Sequence, residues 1–243
     1  MSLLKALASD ETIAPEKDSV GGNGPLESGL YPMNIAMAFI KVADSGAMGL
    51  VLTMKTEDKK EVRQTLWMTA GKAKGGNNYY TDKNGDKQYL PGYLQANAIA
   101  LLAAGKEISE MDTETKVINL WNAEAKAEVP TKVEAVMDLI GKDVIVGLIK
   151  QTVDKTIKND AGVYVPTGET RDENEIDKIF RASDKMTTAE IRAQATEPAF
   201  YETWGNKWTG VTKSKSKGAT GTAGAPGAKA AGTSTKPTTS LFG

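Results

Sequence analysis

The sequence predicts a mainly β protein with a few helices. The expected core is an antiparallel barrel of five or six strands carrying an inserted aromatic hairpin and helix, then a C-terminal helix and a disordered tail. Three observations carry that expectation. Residues 29–69 hold three consecutive runs of alternating apolar and polar residues joined by short polar turns, the pattern of a β meander. The stretch Trp67–Tyr93 then places five of the chain's fifteen aromatic residues among four lysines. From Val211 the composition falls to Gly, Ala, Ser, Thr and Lys, with too little apolar surface to offset the entropy of ordering a chain.

Composition narrows the chemistry. A chain of 243 residues, 40% of them hydrophobic, can bury the core of one large domain. It has no histidine and no cysteine, which removes Ser-His-Asp and Cys-His sites, Cys/His zinc sites, disulfides and thiol redox chemistry together. No apolar run approaches the roughly 20 residues of a membrane span. The start, MSLLKALASDE, turns acidic too soon for a secretory signal. The expectation is a soluble, cytoplasmic protein that is not an enzyme, with no cofactor, no metal site and no membrane partner. Its net charge of −1 hides an asymmetry: Lys213, Lys215, Lys217, Lys229 and Lys236 face no acid after residue 210, so the first 210 residues carry a net charge of −6.

In chain order, residues 1–28 read as a flexible arm: Leu3, Leu4 and Leu7 form a short helical pattern, followed by Pro15, Pro25 and the run Gly21–Gly24. The domain spans 29–210. GLYPMNIAMAFIKV forms the first strand, with Tyr31, Met33, Ile35, Met37 and Phe39 assigned to one face. Ala47–Thr56 and Glu61–Thr69 follow as the second and third strands, separated by the turns Asp44–Gly46 and Glu57–Lys60. Tyr79–Tyr89 reads as a hairpin with Asn84-Gly85 at its tip, since Asn-Gly favours the positive φ of tight turns. A helix over Tyr93–Ala104, with Leu94, Ala98, Leu101 and Leu102 at helical spacing, stops at Gly105.

Beyond Lys106, Thr115–Trp121 reads as a strand, residues 124–129 as a connector and Lys132–Ile140 as a short amphipathic helix. Lys142–Ile157 is a strand paired with Gly162–Thr170, and Glu173–Arg181 is either a further strand or a short helix. Thr187-Thr188-Ala189-Glu190 has the form of a capping box. Phe200, Trp204 and Trp208 share one helical face that either docks on the core or offers a stacking platform. The strand and helix count fits the five-stranded Greek-key barrel of the OB-fold. The tail, 211–243, ends in Leu241-Phe242-Gly243, an apolar tip in the form of a peptide for a partner's pocket.

A loop that merely connects two core elements has no need of exposed flat side chains. A surface that binds single-stranded nucleic acid needs aromatic faces for unstacked bases and cations for phosphates, each stacked base contributing about 1–3 kcal/mol. The candidate contacts are Trp67, Lys72, Lys74, Tyr79, Tyr80, Lys83, Lys87, Tyr89 and Tyr93, extended by the basic turn of Lys55, Lys59, Lys60 and Arg63. The competing reading has the tyrosines packing the hairpin onto the barrel. Asp44 with Glu57-Asp58-Lys59 resembles the carboxylate-lysine arrangement of metal-dependent nucleases, but charged turns are common.

With its OB-type barrel, GKAKGGNNYYTDKNGDKQYLPGYLQANAIALL, glycine-rich tail and apolar tip, the chain resembles the single-stranded-DNA-binding proteins of bacteriophages and bacteria, over about residues 26–160 and in the layout of the tail. The resemblance implies sequence-independent binding of single-stranded DNA, or RNA, in replication or recombination. It also implies a tail tip, Leu241 and Phe242, that recruits replication or recombination proteins, and host cytoplasm as the compartment if a phage encodes the chain. Such tails are usually acidic, and this one is basic, which turns its lysines toward nucleic acid instead. The alternative is a virion-type assembly protein that forms oligomers through its β domain and flexible ends. A third reading, a carbohydrate-binding β domain, leaves the lysines without a use.

Overall fold

The structure, a computed structural model, describes residues 24–217 apart from Ala123 and Ala161. The expected arm over 1–23 and the apolar tip at Leu241 and Phe242 lie outside the described residues. The chain is mainly β. Strands β1 (Gly29–Val42), β2 (Met48–Thr56) and β3 (Glu61–Trp67) form the meander, and β4 (Tyr79–Thr81) and β5 (Lys87–Tyr89) form a small hairpin before helix α1 (Pro91–Ala104). Next come β6 (Glu114–Asn122), β7 (Ala127–Ala135), β8 (Asp143–Lys158) and β9 (Tyr164–Arg181). Helices α2 (Thr188–Arg192) and α3 (Ala199–Trp208) and strand β10 (Thr212–Ser214) complete the order.

All strands but β4 and β5 belong to one eight-stranded sheet, antiparallel except where β10 runs parallel to β8. β1 pairs with β2 along one edge. Its other edge is shared: Gly29–Asn34 pair with β8, and Phe39 and Ile40 pair with β7. The sheet is not closed into a barrel. β3 and β9 approach each other without a ladder, and two glutamines fill the gap at Ile176. Gln64 Oε1 accepts from the Ile176 N–H at 2.8 Å, and Gln95 Nε2 donates to the Ile176 carbonyl at 2.6 Å. These side chains satisfy backbone groups that a missing strand partner would otherwise leave unpaired.

The register of β1 shifts between Ile35 and Met37. An extra residue in one strand reverses which face the following side chains use. Met33 and Ile35, and after the bulge Ala38, belong to the main core with Leu50, Leu52, Leu66, Ile99, Leu148 and Ile176. Phe39 instead packs with Val51 and Val133 in a second cluster, joined at its rim by Met37, Ile118 and Leu120. The single face assigned to Tyr31–Phe39 is therefore split, because simple alternation cannot register a bulge.

The helix expected over Lys132–Ile140 is the end of β7 followed by turns. Thr131, Val133 and Ala135 alternate with exposed Lys132 and Glu134, a period of two that the helix-like punctuation of Pro130 and Gly141 masks. Pro130 sits opposite Asn119 on a stretch of β7 whose other edge has no partner among the described residues, where a missing N–H costs little. Residues 173–181 resolve to strand, continuing β9 without a break. α1 occupies the expected place but starts at Pro91 and buries Ala96, Ile99, Ala100 and Leu102, while Leu94 stays exposed.

The two ends of the described chain are tied to the sheet. Asn174 holds Leu26 through both its backbone N–H and its carbonyl, and buried Ser28 accepts from the Lys150 N–H at 2.7 Å. Residues 211–217, assigned by composition to the tail, supply β10, and the Lys215 N–H donates to the Thr152 carbonyl. Among the described residues no helix is long and apolar enough to cross a membrane.

α3 docks its aromatic face on the sheet, as one of the two readings of Phe200, Trp204 and Trp208 has it. Trp204 is 2% exposed and lies over Gly147 of β8, where an added Cβ would meet the indole at 2.9 Å. Its Nε1 donates to Asp177 Oδ2 at 2.7 Å, and Tyr201 meets Phe180 edge-on at 5.3 Å between centroids. β8 is thus covered on both faces, Val144, Val146 and Leu148 by the main core and Ile145 and Ile149 by the α3 cluster. Trp204→Ala should lower unfolding free energy by about 3–5 kcal/mol, the usual cost of truncating a buried aromatic. A urea midpoint unchanged by that substitution would show that α3 contributes nothing to the fold.

Candidate nucleic-acid interface

The predicted residues fall into three groups strung along β3 and its continuation. The first is the hairpin. Its turn is held by Asp82 Oδ1, which accepts from the N–H groups of Asn84 and Asp86 at 2.8 and 3.0 Å, and Gly85 supplies the positive φ of +90°. Tyr79 stands opposite Tyr89 in register, so both project from the same side of the ribbon, and Tyr80 projects from the other, opposite Gln88. Lys87 Nζ lies 4.7 Å from the Tyr79 ring centroid, a cation–π contact. The rings of Tyr89 and Tyr93 are 4.9 Å apart and tilted by 34°.

The tyrosines divide between core and solvent. Tyr93, on the first turn of α1, packs against the main core, and burial raises its phenol pKa, with Glu107 and Tyr89 adding to the effect. Tyr80 and Tyr89 remain 49% and 54% exposed, and Lys83 is exposed at the tip. The hairpin therefore has one ring rooted in the core and others presented to solvent beside a lysine.

The second group lies where β3 ends. Trp67 is 41% exposed on the outer face of the sheet and spreads over Gly49 of β2, its partner in register. A Cβ at Gly49 would come within 2.9 Å of the ring, so glycine provides the flat bed the indole needs. Lys72 and Lys74 form a short 3-10 turn. The Lys72 N–H donates to the Ser45 carbonyl at 2.8 Å, and its methylenes cross Gly46 of the β1–β2 turn. Both lysines are exposed. Gly92 of α1 abuts the Trp67 backbone so closely that an added Cβ would sit 2.2 Å from the Trp67 carbonyl oxygen.

The third group, at the β2–β3 turn, lies at the far end of β3, about 20 Å from Trp67 by strand rise. Two of its cations already have carboxylates beside them: Lys55 lies 3.7 Å from Glu61 and Lys60 3.5 Å from Asp58. The hydrogen bond from the Thr56 hydroxyl holds the Asp58 carboxyl below its usual range, and Lys60 reinforces this. Arg63 projects from the outer face in the same row as Thr65 and Trp67. Asp44 and the Glu57-Asp58 pair stand at opposite ends of β2, roughly 25 Å apart along the strand, so they cannot share an ion.

Exposed groups from outside the Trp67–Tyr93 stretch line a groove beside this face. Trp121 of β6, 64% exposed, lines a groove with Lys41, Arg63, Thr65 and Lys132 between the meander and the β6–β7 arm. Their signal in the sequence is faint, because they come from four separate strands and neighbour one another only after the arm folds across Phe39 and Val51.

Searched against models of known protein families and against curated protein sequences, the chain matches neither. Tyr93→Ala should lower stability by about 1–2 kcal/mol, below the ~3–5 kcal/mol of a fully buried ring, while Tyr80→Ala should stay within about 0.5 kcal/mol of wild type. Equal urea midpoints for the two variants would show that the hairpin has no root in the core.

Proposed function

We propose that this chain is a non-enzymatic protein that binds single-stranded nucleic acid, DNA above all, with little regard to sequence. Bases stack on the exposed rings of the hairpin and on Trp67, and Lys72, Lys74, Lys83 and Lys87 neutralise phosphates. The observation that carries this reading is the pairing of exposed Tyr89 with core-rooted Tyr93, beside Tyr79 capped by Lys87. Rings fixed on an ordered ribbon lose little conformational freedom when a base stacks on them, and every base offers a π face whatever its identity.

The order of elements supports an OB-type scaffold under this site. A long, bulged β1 shared between two parts of the sheet, a β1–β2–β3 meander, a helix, and a long antiparallel pair ending beside β3 follow that layout, with the gap plugged at Ile176 in place of a final ladder. Roles in replication or recombination, and recruitment of partner proteins by Leu241 and Phe242, belong to the same proposal.

A second reading, assembly of copies into a larger structure, has one observation in its favour. The β8–β9 ribbon runs on past the sheet and exposes Ile157, Val163 and Tyr164. Sedimentation that reveals large closed assemblies, together with no affinity for nucleic acid, would select it.

Titration with oligo(dT) should quench tryptophan fluorescence, with log K falling linearly against log salt at about 0.7 per phosphate neutralised. Tyr89→Ala should weaken binding by about 5- to 150-fold at an unchanged melting temperature. Absence of any salt-sensitive binding at low ionic strength would overturn the proposal.

A further inference from the structure

Two channels of opposite character flank β3. The seam between β3 and β9 is a cleft of about 1440 Å³ lined by six carboxylates, among them Glu61, Asp172 and Glu175, against four cations. The groove on the other side, between the outer face of β1–β3 and the β6–β7 arm, measures about 520 Å³, within the roughly 300–1,000 Å³ of small-ligand sites. Its lining contains Lys41, Arg63 and Lys132 and no carboxylate, in a chain whose acids outnumber its bases. Its floor is apolar, from Phe39, Val51 and Leu120, and Trp121 stands at its side.

Charge decides which channel a polyanion enters. Phosphates in the seam would face the carboxylates of β3 and β9 across a narrow gap, and those charges lie well within one screening length of about 10 Å. The lining of the arm-side groove offers a phosphate three cations and no carboxylate, and a base an indole and aliphatic walls, while Glu128, opposite Trp121 across the β6–β7 ladder, lies outside that lining.

Resting on the reading above, we propose that the bound single strand crosses the outer face of the sheet beneath the β6–β7 arm. One nucleotide unit occupies the groove, its phosphate among Lys41, Arg63 and Lys132 and its base against Trp121. Of the basic turn, Arg63, which lines both channels, then belongs to the path, whereas Lys59 and Lys60, which line the seam alone, do not. The strand runs from the hairpin past Trp67 and turns toward the arm, away from the acidic edge.

The test is fluorescence anisotropy of labelled oligo(dT) with full-length protein across a salt series, with melting curves as the fold control. Trp121→Ala should weaken binding by about 5- to 150-fold. The double variant Lys41→Gln/Lys132→Gln provides a second route that leaves the aromatic in place. It should reduce the salt slope by about 1.4, each single-strand phosphate contact contributing about 0.7. Lys59→Gln/Lys60→Gln should leave both affinity and slope at wild-type values. Wild-type binding by the arm variants, with loss confined to the hairpin variants, overturns this path and leaves the proposed function standing. A loss confined to the seam variants overturns it too. No binding by the wild-type protein overturns both.

Discussion

The bulge between Ile35 and Met37 is the feature on which the rest of the architecture depends. A regular β1 would send alternate side chains to two fixed faces along its whole length. With the extra residue, the strand gives Met33 and Ile35 to the main core, keeps Ala38 there too, and turns Phe39 outward to Val51. The same irregularity lets one edge of β1 change partners, from β8 over Gly29–Asn34 to β7 at Phe39 and Ile40. The turns between β7 and β8 are locked at that point. The Gly141 N–H donates to the Ile35 carbonyl, and the Ile35 N–H donates to Lys142, both at 2.8 Å. Without the outward turn of Phe39, the apolar patch against which the β6–β7 arm folds would lose its largest member and keep Val51.

A second constraint follows from leaving the sheet open. Wherever a ladder is missing, backbone groups need other partners, and Ile176 obtains both of its partners from glutamine side chains on β3 and α1. Asn174 does the same for the incoming chain at Leu26. Amide side chains carry a donor and an acceptor on one short stem, so each can stand in for a strand neighbour. This keeps β9 beside β3 while leaving a polar cleft between them.

Much of this was legible from residue patterns. The three-strand meander, the hairpin at Asn84-Gly85, the helix that stops at Gly105 and the docking of Trp204 all follow from local rules that the structure obeys. The failures have physical causes. The phase of β1 after Ala36 depends on a bulge, whose signal is a register relation between strands. Of the face expected for α1, Leu102 is buried and Ala98 packs on the core, but Leu94, which looks like a core residue, is exposed, and Ala96, Ile99 and Ala100 supply the rest of the buried surface. β7 was read as a helix although Thr131, Val133 and Ala135 alternate, since Pro130 and Gly141 resemble helix punctuation. At the candidate interface the contiguous aromatic and basic stretch was visible, whereas Lys41, Trp121 and Lys132 are scattered along the chain and only the fold brings them together.

The contact between Gly92 and the backbone of Trp67 has a topological consequence. The chain leaves β3 at Trp67, makes the whole hairpin excursion, and returns to touch the residue from which it departed. Its roots are clamped again by the Ala70 N–H on the Asn77 carbonyl and the Leu90 N–H on the Asn78 carbonyl, both at 2.8 Å. A loop whose ends already meet exerts little pull on what it connects, and its closure entropy rises only slowly with length. The hairpin is therefore a cassette: its reach and its complement of rings can change by insertion or deletion at the tip while β3 and α1 keep their places.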